Sequence, residues 1–291
     1  MSYDIYFCRN EPTELHFDEV VSWSRRYPQF REEGESQLIY ENPDTGVYFL
    51  LEWSAPTEGQ ESSIPSGVYD TGLSLNLNYA RPTFFALEAM PIVEALAAHF
   101  RVTMFDPQRE PSVGIFSSEQ LVESWSKSNQ GAVESLAKGN DTFFRLSPDT
   151  STRFWTYMNG DYPRLKQELE GPDVFVPKLF LISHKDSKKT ETAIAWTLGI
   201  HLVVPRTDWI VVVFPKSFWR RETEMLFFRS DTVLAPMAPY LREFEAGRDL
   251  RILPPENLTR ADKILKGLQR GLGKAGFQTL SPDRCVDTPL G

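Results

Sequence analysis

Four histidines, His16, His99, His184 and His201, and two cysteines, Cys8 and Cys285, are all the imidazole and thiol chemistry this sequence offers. No pair of them has an HxH or HExxH spacing, and no histidine stands near a cysteine, so no zinc site is expected. His184-Lys185-Asp186 comes nearest to a general base, but it falls in a polar turn between expected strands and reads as a solvated loop. Gly267, Gly271, Gly273 and Lys274 superficially resemble a phosphate loop; the pattern GxxxxGK[ST] fails at Leu268 and Ala275, no strand precedes it, and a fraying helix end is the simpler reading. There is no GxSxG, and the carboxylates are too many and too scattered to single out an acid–base pair. The expected catalytic, cofactor-binding and metal residues are therefore none.

One constellation has the residue types for a polar site. Asn78 and Arg81 stand where a strand gives way to a helix, Glu88 lies one turn into that helix, and Asp106 closes the next strand. Strand ends and helix starts meet at one rim of an α/β unit, where ligands are often held. Two readings follow. Arg81 pairs with Asp106 or Glu88 and fixes the corner, with Asn78 as a cap; or the four line a small pocket, which would suit a small-molecule hydrolase or a scaffold protein.

The elements that must position this rim can be read from periodicity. Residues 3–9 read as an opening strand, Phe17, Val20 and Val21 mark a short helix, and residues 37–41 and 47–53 flank the turn Asn42-Pro43-Asp44-Thr45-Gly46. Leu73, Leu75 and Leu77 alternate with Ser74, Asn76 and Asn78, a strand with one wet face. A helix follows from Pro82 to Phe100, kinked or restarted at Pro91, and residues 102–105 close the order β-α-β-β-β-α-β. Ser117 and Gln120 form a capping box ahead of a helix burying Leu121, Trp125, Ala132 and Leu136. Beyond it, a helical stretch at 154–158 is interrupted at Gly160 and Pro163. Five short strands between 174 and 228 suggest an antiparallel sheet, and helices are expected at 237–244 and 259–272. The predicted fold class is α/β of the α+β kind: two packed units with mixed or antiparallel sheets and helices on the faces, an N-terminal domain 1–147 and a β-rich C-terminal domain 148–291.

Charge separates these units. Of 291 residues 24% are charged, with a net charge of −9, yet residues 1–110 alone hold 18 acidic and seven basic residues. Acids gather at Glu32, Glu33 and Glu35, at Glu41 and Asp44, and at Glu58 and Glu61. Such a surface repels phosphate, so direct nucleic-acid binding is not expected. A basic protein would be steered towards it, with Glu32, Glu33 and Glu35 as the candidate partner face; the plainer alternative is that these acids only keep the protein soluble. No apolar run approaches the length of a membrane span and no leader opens the sequence, so a cytoplasmic protein with reduced thiols is expected. A scaffold role would draw on Trp209, Phe214, Phe218 and Trp219.

Several short stretches together resemble a little-studied family of bacterial cytoplasmic proteins. They are Ser2-Tyr3-Asp4-Ile5-Tyr6-Phe7; the run from Leu77 through Asn78-Tyr79-Ala80-Arg81-Pro82 to Ala89; Asp106-Pro107-Gln108; and the W-x-x-x-N pair Trp125 and Asn129. Phe175-Val176-Pro177, Thr192 to Trp196, Gly199-Ile200 and Pro205-Arg206-Thr207-Asp208 extend the likeness into the second half. Members look similar to genes of toxin and immunity cassettes. The resemblance implies a cytoplasmic immunity protein of myxobacterial kin discrimination that neutralises a cognate nuclease toxin; the charge makes that partner a basic protein, and the residue survey leads us to expect no cofactor and no enzyme, with a hydrolase as the alternative.

Overall fold

The computed structural model describes every residue except 14, 56–63, 140–142, 170–173, 216–222, 246, 269–270 and 288–291. The fold is mixed α+β, and the chain divides into two compact units, Met1–Phe143 joined by the C-terminal residues from Pro282, and Phe144–Ser281. The sequence texture placed this division at 147/148; the return of the C terminus to the first unit leaves no periodic signal.

In the first unit, β1 (Ser2–Arg9) is followed by α1 (Phe17–Ser24), then β2 (Phe30–Glu33), β3 (Gln37–Glu41), β4 (Tyr48–Trp53) and β5 (Tyr69–Asn78). After these come α2 (Phe84–Phe100), β6 (Thr103–Phe105), β7 (Val113–Gly114) and α3 (Ser118–Lys138). One antiparallel sheet runs β2-β3-β4-β5-β1-β6-β7, so the opening strand lies inside it, with Ile5 opposite Leu75 and Tyr6 opposite Phe105. Strand β2 was not anticipated: its FREE sequence carries no apolar alternation, and pairing with β3 alone makes it a strand.

Period-two alternation assigns the sheet's faces. Tyr3, Ile5, Phe7, Leu38, Phe49, Leu51, Leu73, Leu75 and Leu77 form the buried face, where Phe17 of α1 meets Trp53 and Glu88 of α2 bonds Tyr40. The β3–β4 turn forms where Asn42, Pro43 and Gly46 demand it: Asn42 Oδ1 accepts from the Asp44 N–H at 3.0 Å, and Gly46 has φ +74°. A Cβ on Gly46 would lie 2.9 Å from Pro282, so this position excludes a side chain twice over.

Helix α2 continues through Pro91 without a break. Its start, Thr83, supplies no side-chain cap; the carboxylate of Asp287 does so instead, accepting the Thr83 N–H at 2.9 and 3.0 Å and its hydroxyl at 2.9 Å. Pro82 consequently precedes the cap and lies outside the helix. In α3 the expected capping box forms, with Ser117 and Gln120 bonding each other's backbone N–H. The buried stripe is Leu121, Trp125, Asn129 and Val133, and Ala132 and Leu136 are only half-buried, because strict four-residue steps keep one line of side chains facing inward.

The second unit begins with β8 (Phe144–Arg145) and α4 (Pro148–Thr156), capped by Ser147. A π turn (Tyr157–Asp161) then leads into α5 (Tyr162–Glu168). The expected break at Gly160 and Pro163 is thus absent. The Tyr162 N–H reaches back five residues to Tyr157, and this widened turn admits Pro163 without ending the helix. Next come β9 (Phe180–His184), β10 (Thr190–Thr197), β11 (Val203–Val204), β12 (Trp209–Phe214), β13 (Glu224–Arg229) and α6 (Ser230–Met237). The unit ends with β14 (Arg242–Glu245), β15 (Leu250–Ile252), α7 (Leu258–Gly267), β16 (Leu272–Gly273) and β17 (Phe277–Leu280).

The main sheet here, β16-β13-β12-β10-β9-β17, is mixed, because β10 and β12 run parallel with Ala193 opposite Trp209. Spacing alone suggested an antiparallel sheet. The connection from β10 to β12 instead leaves the sheet and lends β11 to a second, three-stranded sheet with β15 and β14. The helix expected at 237–244 lies earlier, at 230–237, where Val233 and Met237 bury one turn apart, and residues 242–245 are a strand. The helix expected to reach 272 stops at Gly267, and Leu272 pairs with Phe227.

Replacing Asp287 with alanine removes the acceptor at the start of α2, and the expected loss is about 1–2 kcal/mol in chemical denaturation. A loss below a few tenths would show that Thr83 finds another cap.

Candidate functional site

The four rim residues do not converge. Arg81 donates to the Tyr48 hydroxyl at 2.7 Å and to the backbone oxygens of Ala80 and Tyr79 at 3.0 and 3.4 Å, and its guanidinium lies 5.7 Å from the Tyr48 ring centre. Asn78 also reaches Tyr48, at 3.5 Å. The expected pairing of Arg81 with Asp106 or Glu88 is not made, because each carboxylate is occupied by neutral donors nearer to it. Glu88 accepts from the Tyr40 hydroxyl at 2.9 Å, Asn42 Nδ2 at 2.7 Å and Thr45 Oγ1 at 3.2 Å. Asp106 accepts from Ser124 Oγ at 2.7 Å, the Gln108 N–H at 2.9 Å and the Tyr3 hydroxyl. Asn78 therefore bonds a tyrosine and does not act as a helix cap.

These networks hold structure in place. Burial first, then the hydrogen bond and charge of Asp106, push the Tyr3 phenol far above the ordinary tyrosine range; burial and Glu88 do the same to Tyr40. Both phenols stay protonated and serve as fixed donors to a buried carboxylate. The polar member of the α3 stripe has a similar task. Ala80 has φ +57°, and Asn129 accepts its N–H at 2.7 Å while donating to the Arg81 carbonyl at 3.0 Å. The W-x-x-x-N spacing marked Asn129 in the sequence, although nothing there showed which backbone it satisfies.

The other candidates also resolve. His184 caps its own turn, with Nδ1 accepting the Asp186 N–H at 3.4 Å, and leans edge-on against Phe277. Gly271 lies against Leu226 and Phe228, so the glycine-rich stretch serves close strand packing. Trp209 and Phe214 are core residues at 7% and 4% exposure and do not form an exposed patch; Phe218 and Trp219 lie outside the described residues, as do Glu58 and Glu61. Among the described residues no group of three histidine, cysteine or acidic side chains is placed to hold a metal, and no helix is long and apolar enough to cross a membrane.

Glu32, Glu33 and Glu35 are exposed on the edge strand β2 and the turn at Gly34. Arg31 is ion-paired with Glu33 and lies 3.9 Å from Glu41, so this corner is partly neutralised. Charged side chains on such an edge also prevent pairing with another sheet. The wider surface is the sheet face opposite the core. Asp4 and Tyr6 of β1, Ser74 and Asn76 of β5, Leu50 and Glu52 of β4, and Gln37 and Ile39 of β3 share it, all half-buried.

The acids on this face have neutral partners. Asp4 accepts from Asn76 Nδ2 at 2.7 Å and from Ser2 at 3.1 Å; Glu52 accepts from Gln37 at 2.6 Å. Hydrogen bonds of this kind orient a carboxylate and leave its charge uncompensated. Alternation along β5 gave the wet face from sequence; that Asp4 and Glu52 share it follows only from strand register. No protein-family profile, curated protein or solved structure matches the chain.

Truncating Glu88 to alanine strands three buried donors and is expected to cost about 3 kcal/mol, against about 1 kcal/mol or less for Arg81→Ala; equal losses in urea denaturation would contradict the separation of the two. Burial, then the charge of Asp70, pushes the Cys8 thiol up to about 12, and Cys285 is fully buried. Neither thiol should react with a disulfide reagent at neutral pH until the protein is unfolded. Titration of a thiol in the native protein would refute this.

Proposed function

We propose that the chain is a binding protein that neutralises a basic protein partner, and that the partner docks on the open face of the first unit's sheet. The observation that carries this reading is the set of uncompensated carboxylates, Asp4 and Glu52, beside Tyr6, Leu50 and Ile39 on one half-buried surface. Apolar side chains supply area that can be desolvated, and the surrounding charge steers a cationic surface into register. The groups that sequence reading offered for catalysis, Glu88 and Asp106, are committed to internal hydrogen bonds, which favours binding over turnover.

The resemblance to toxin and immunity cassettes supplies the partner's class. A nuclease must present basic surface to approach phosphate, and an acidic protein lying on that surface blocks substrate sterically while cancelling its field. On this reading the protein is a cytoplasmic immunity protein and needs no cofactor.

The test is co-expression with the product of the adjacent gene and pull-down, followed by surface plasmon resonance against the captured protein at low and high salt. The double reversal Asp4→Lys with Glu52→Lys should slow association about tenfold at low salt and flatten its salt dependence. Reversing Glu32 and Glu35, which lie off this face, should have a smaller effect. Association that ignores salt and both reversals would overturn the electrostatic docking; a larger effect from Glu32 and Glu35 would move the interface to the β2 edge.

A further inference from the structure

The two compact units carry opposite charge. Met1–Phe143 with Pro282–Gly291 holds 24 acidic and ten basic side chains, a net charge of −14, whereas Phe144–Ser281 holds 16 acidic and 21 basic, a net charge of +5. The overall value of −9 conceals this division.

In the second unit, cations collect at the turn between β9 and β10. Lys185, Lys188 and Lys189 of this turn are exposed. Arg145, also exposed, joins them: its N–H bonds the Lys188 carbonyl at 2.7 Å, and it forms a β-bridge with Lys189. Exposed Lys274 follows β16, two residues before Gly276, whose carbonyl accepts the Lys185 N–H at 3.0 Å. Lys189 pairs with Glu191, which Arg229 also bonds. The turn's own acid, Asp186, is 91% exposed and lies 3.6 Å from His184. Among the described residues no carboxylate pairs with Arg145, Lys185, Lys188 or Lys274.

The open sheet face of the first unit has the complementary chemistry. Asp4 and Glu52 accept hydrogen bonds from neutral side chains. Tyr6 lies two residues from Asp4 and shares with Glu52 the neighbour Ser74 on β5, so the two acids flank it. Burial first, then the charges of Asp4 and Asp70, push the Tyr6 phenol above its ordinary range, which marks a negative field at this face.

We propose that the β9–β10 turn of one copy docks on the open sheet face of a second copy, and that this contact masks the face until a more basic partner displaces it. The masking rests on the reading that this face receives such a partner; the contact between copies does not. Each copy has one turn and one face, so the contact is heterologous and joins copies head to tail. Opposite charges favour this orientation, while the net charge of −9 sets other orientations apart. Exposed ion pairs are individually weak, so the assembly is reversible, as a displaceable mask requires.

Sedimentation velocity of the full chain over a range of concentrations tests the contact. Self-association should weaken at least about tenfold between about 0.05 M and about 0.5 M salt. Lys185→Gln with Lys188→Gln removes cations from the turn; Asp4→Asn with Glu52→Gln removes acids from the face while keeping side-chain shape and an acceptor for each bond. Each double variant alone should stay monomeric, and their equimolar mixture should form a 1:1 complex and nothing larger, since together they retain one turn and one face. A monomer at every concentration in low salt, association that survives either double change, or a mixture that stays monomeric would overturn the contact. Binding of a single-stranded oligonucleotide that needs Lys185 and Lys188, without self-association, would overturn it too, by giving the turn a nucleic-acid partner. The turn variant should also bind the captured partner protein more tightly than the wild type, because no second copy competes for the face; equal affinity would overturn the masking. Loss of self-association with partner binding still sensitive to Asp4 and Glu52 would reject this inference and leave the docking reading standing.

Discussion

The first unit depends on how the chain leaves its longest strand. After Asn78 the backbone enters the left-handed region at Ala80, a conformation an alanine resists, and within four residues it must begin α2. The corner is stable because two distant side chains accept its otherwise unpaired N–H groups: Asn129 takes that of Ala80 and Asp287 that of Thr83. Both acceptors are themselves buried, at 1% and 8% exposure. The start of α2, the inward line of α3 and the return of the C terminus are thereby fixed by one set of hydrogen bonds, and losing either acceptor strands an amide in a dry place.

The same principle explains why acidic residues that look reactive in sequence are quiet in the fold. A carboxylate inside a protein needs donors, and the strands and turns of this unit supply neutral ones: tyrosine and serine hydroxyls, an asparagine amide, a backbone N–H. These interactions tie α2 to the β3–β4 hairpin and α3 to the strand ends. They also leave Arg81 to lie on Tyr48. Carboxylates without a cationic partner are found instead on the other face of the sheet, where Asp4 and Glu52 are half-buried and oriented by neutral donors.

The second unit is built on different constraints. A π turn lets one helical stretch pass Gly160 and Pro163, and it places Asp161 where Arg164 and Arg248 both bond it. Glu245 joins them through Arg164 at 2.8 Å, tying the helix to β14. The parallel pairing of β10 with β12 requires a connection that leaves the sheet, and that connection carries β11 into a second sheet. Arginine serves these junctions because its planar fork can bond two carboxylates at once.

Sequence alone determined the elements whose periodicity is local. The Leu73–Leu75–Leu77 alternation, the hairpin turn at 42–46 and the Ser117 capping box all form as read, because each needs only neighbours three to five residues away or a single buried face. The mixed α+β class and the excess of acid in the first third were legible for the same reason. Tertiary structure decided what depends on residues far apart. Which donors Glu88 and Asp106 receive, whether Arg81 has a carboxylate partner, that residues 30–33 become an edge strand, and that Asp287 caps a helix 204 positions away are outcomes of register and chain return. A hydrogen bond goes to the nearest well-aligned partner in space, and strand pairing and helix packing set that distance while leaving no trace in spacing along the chain.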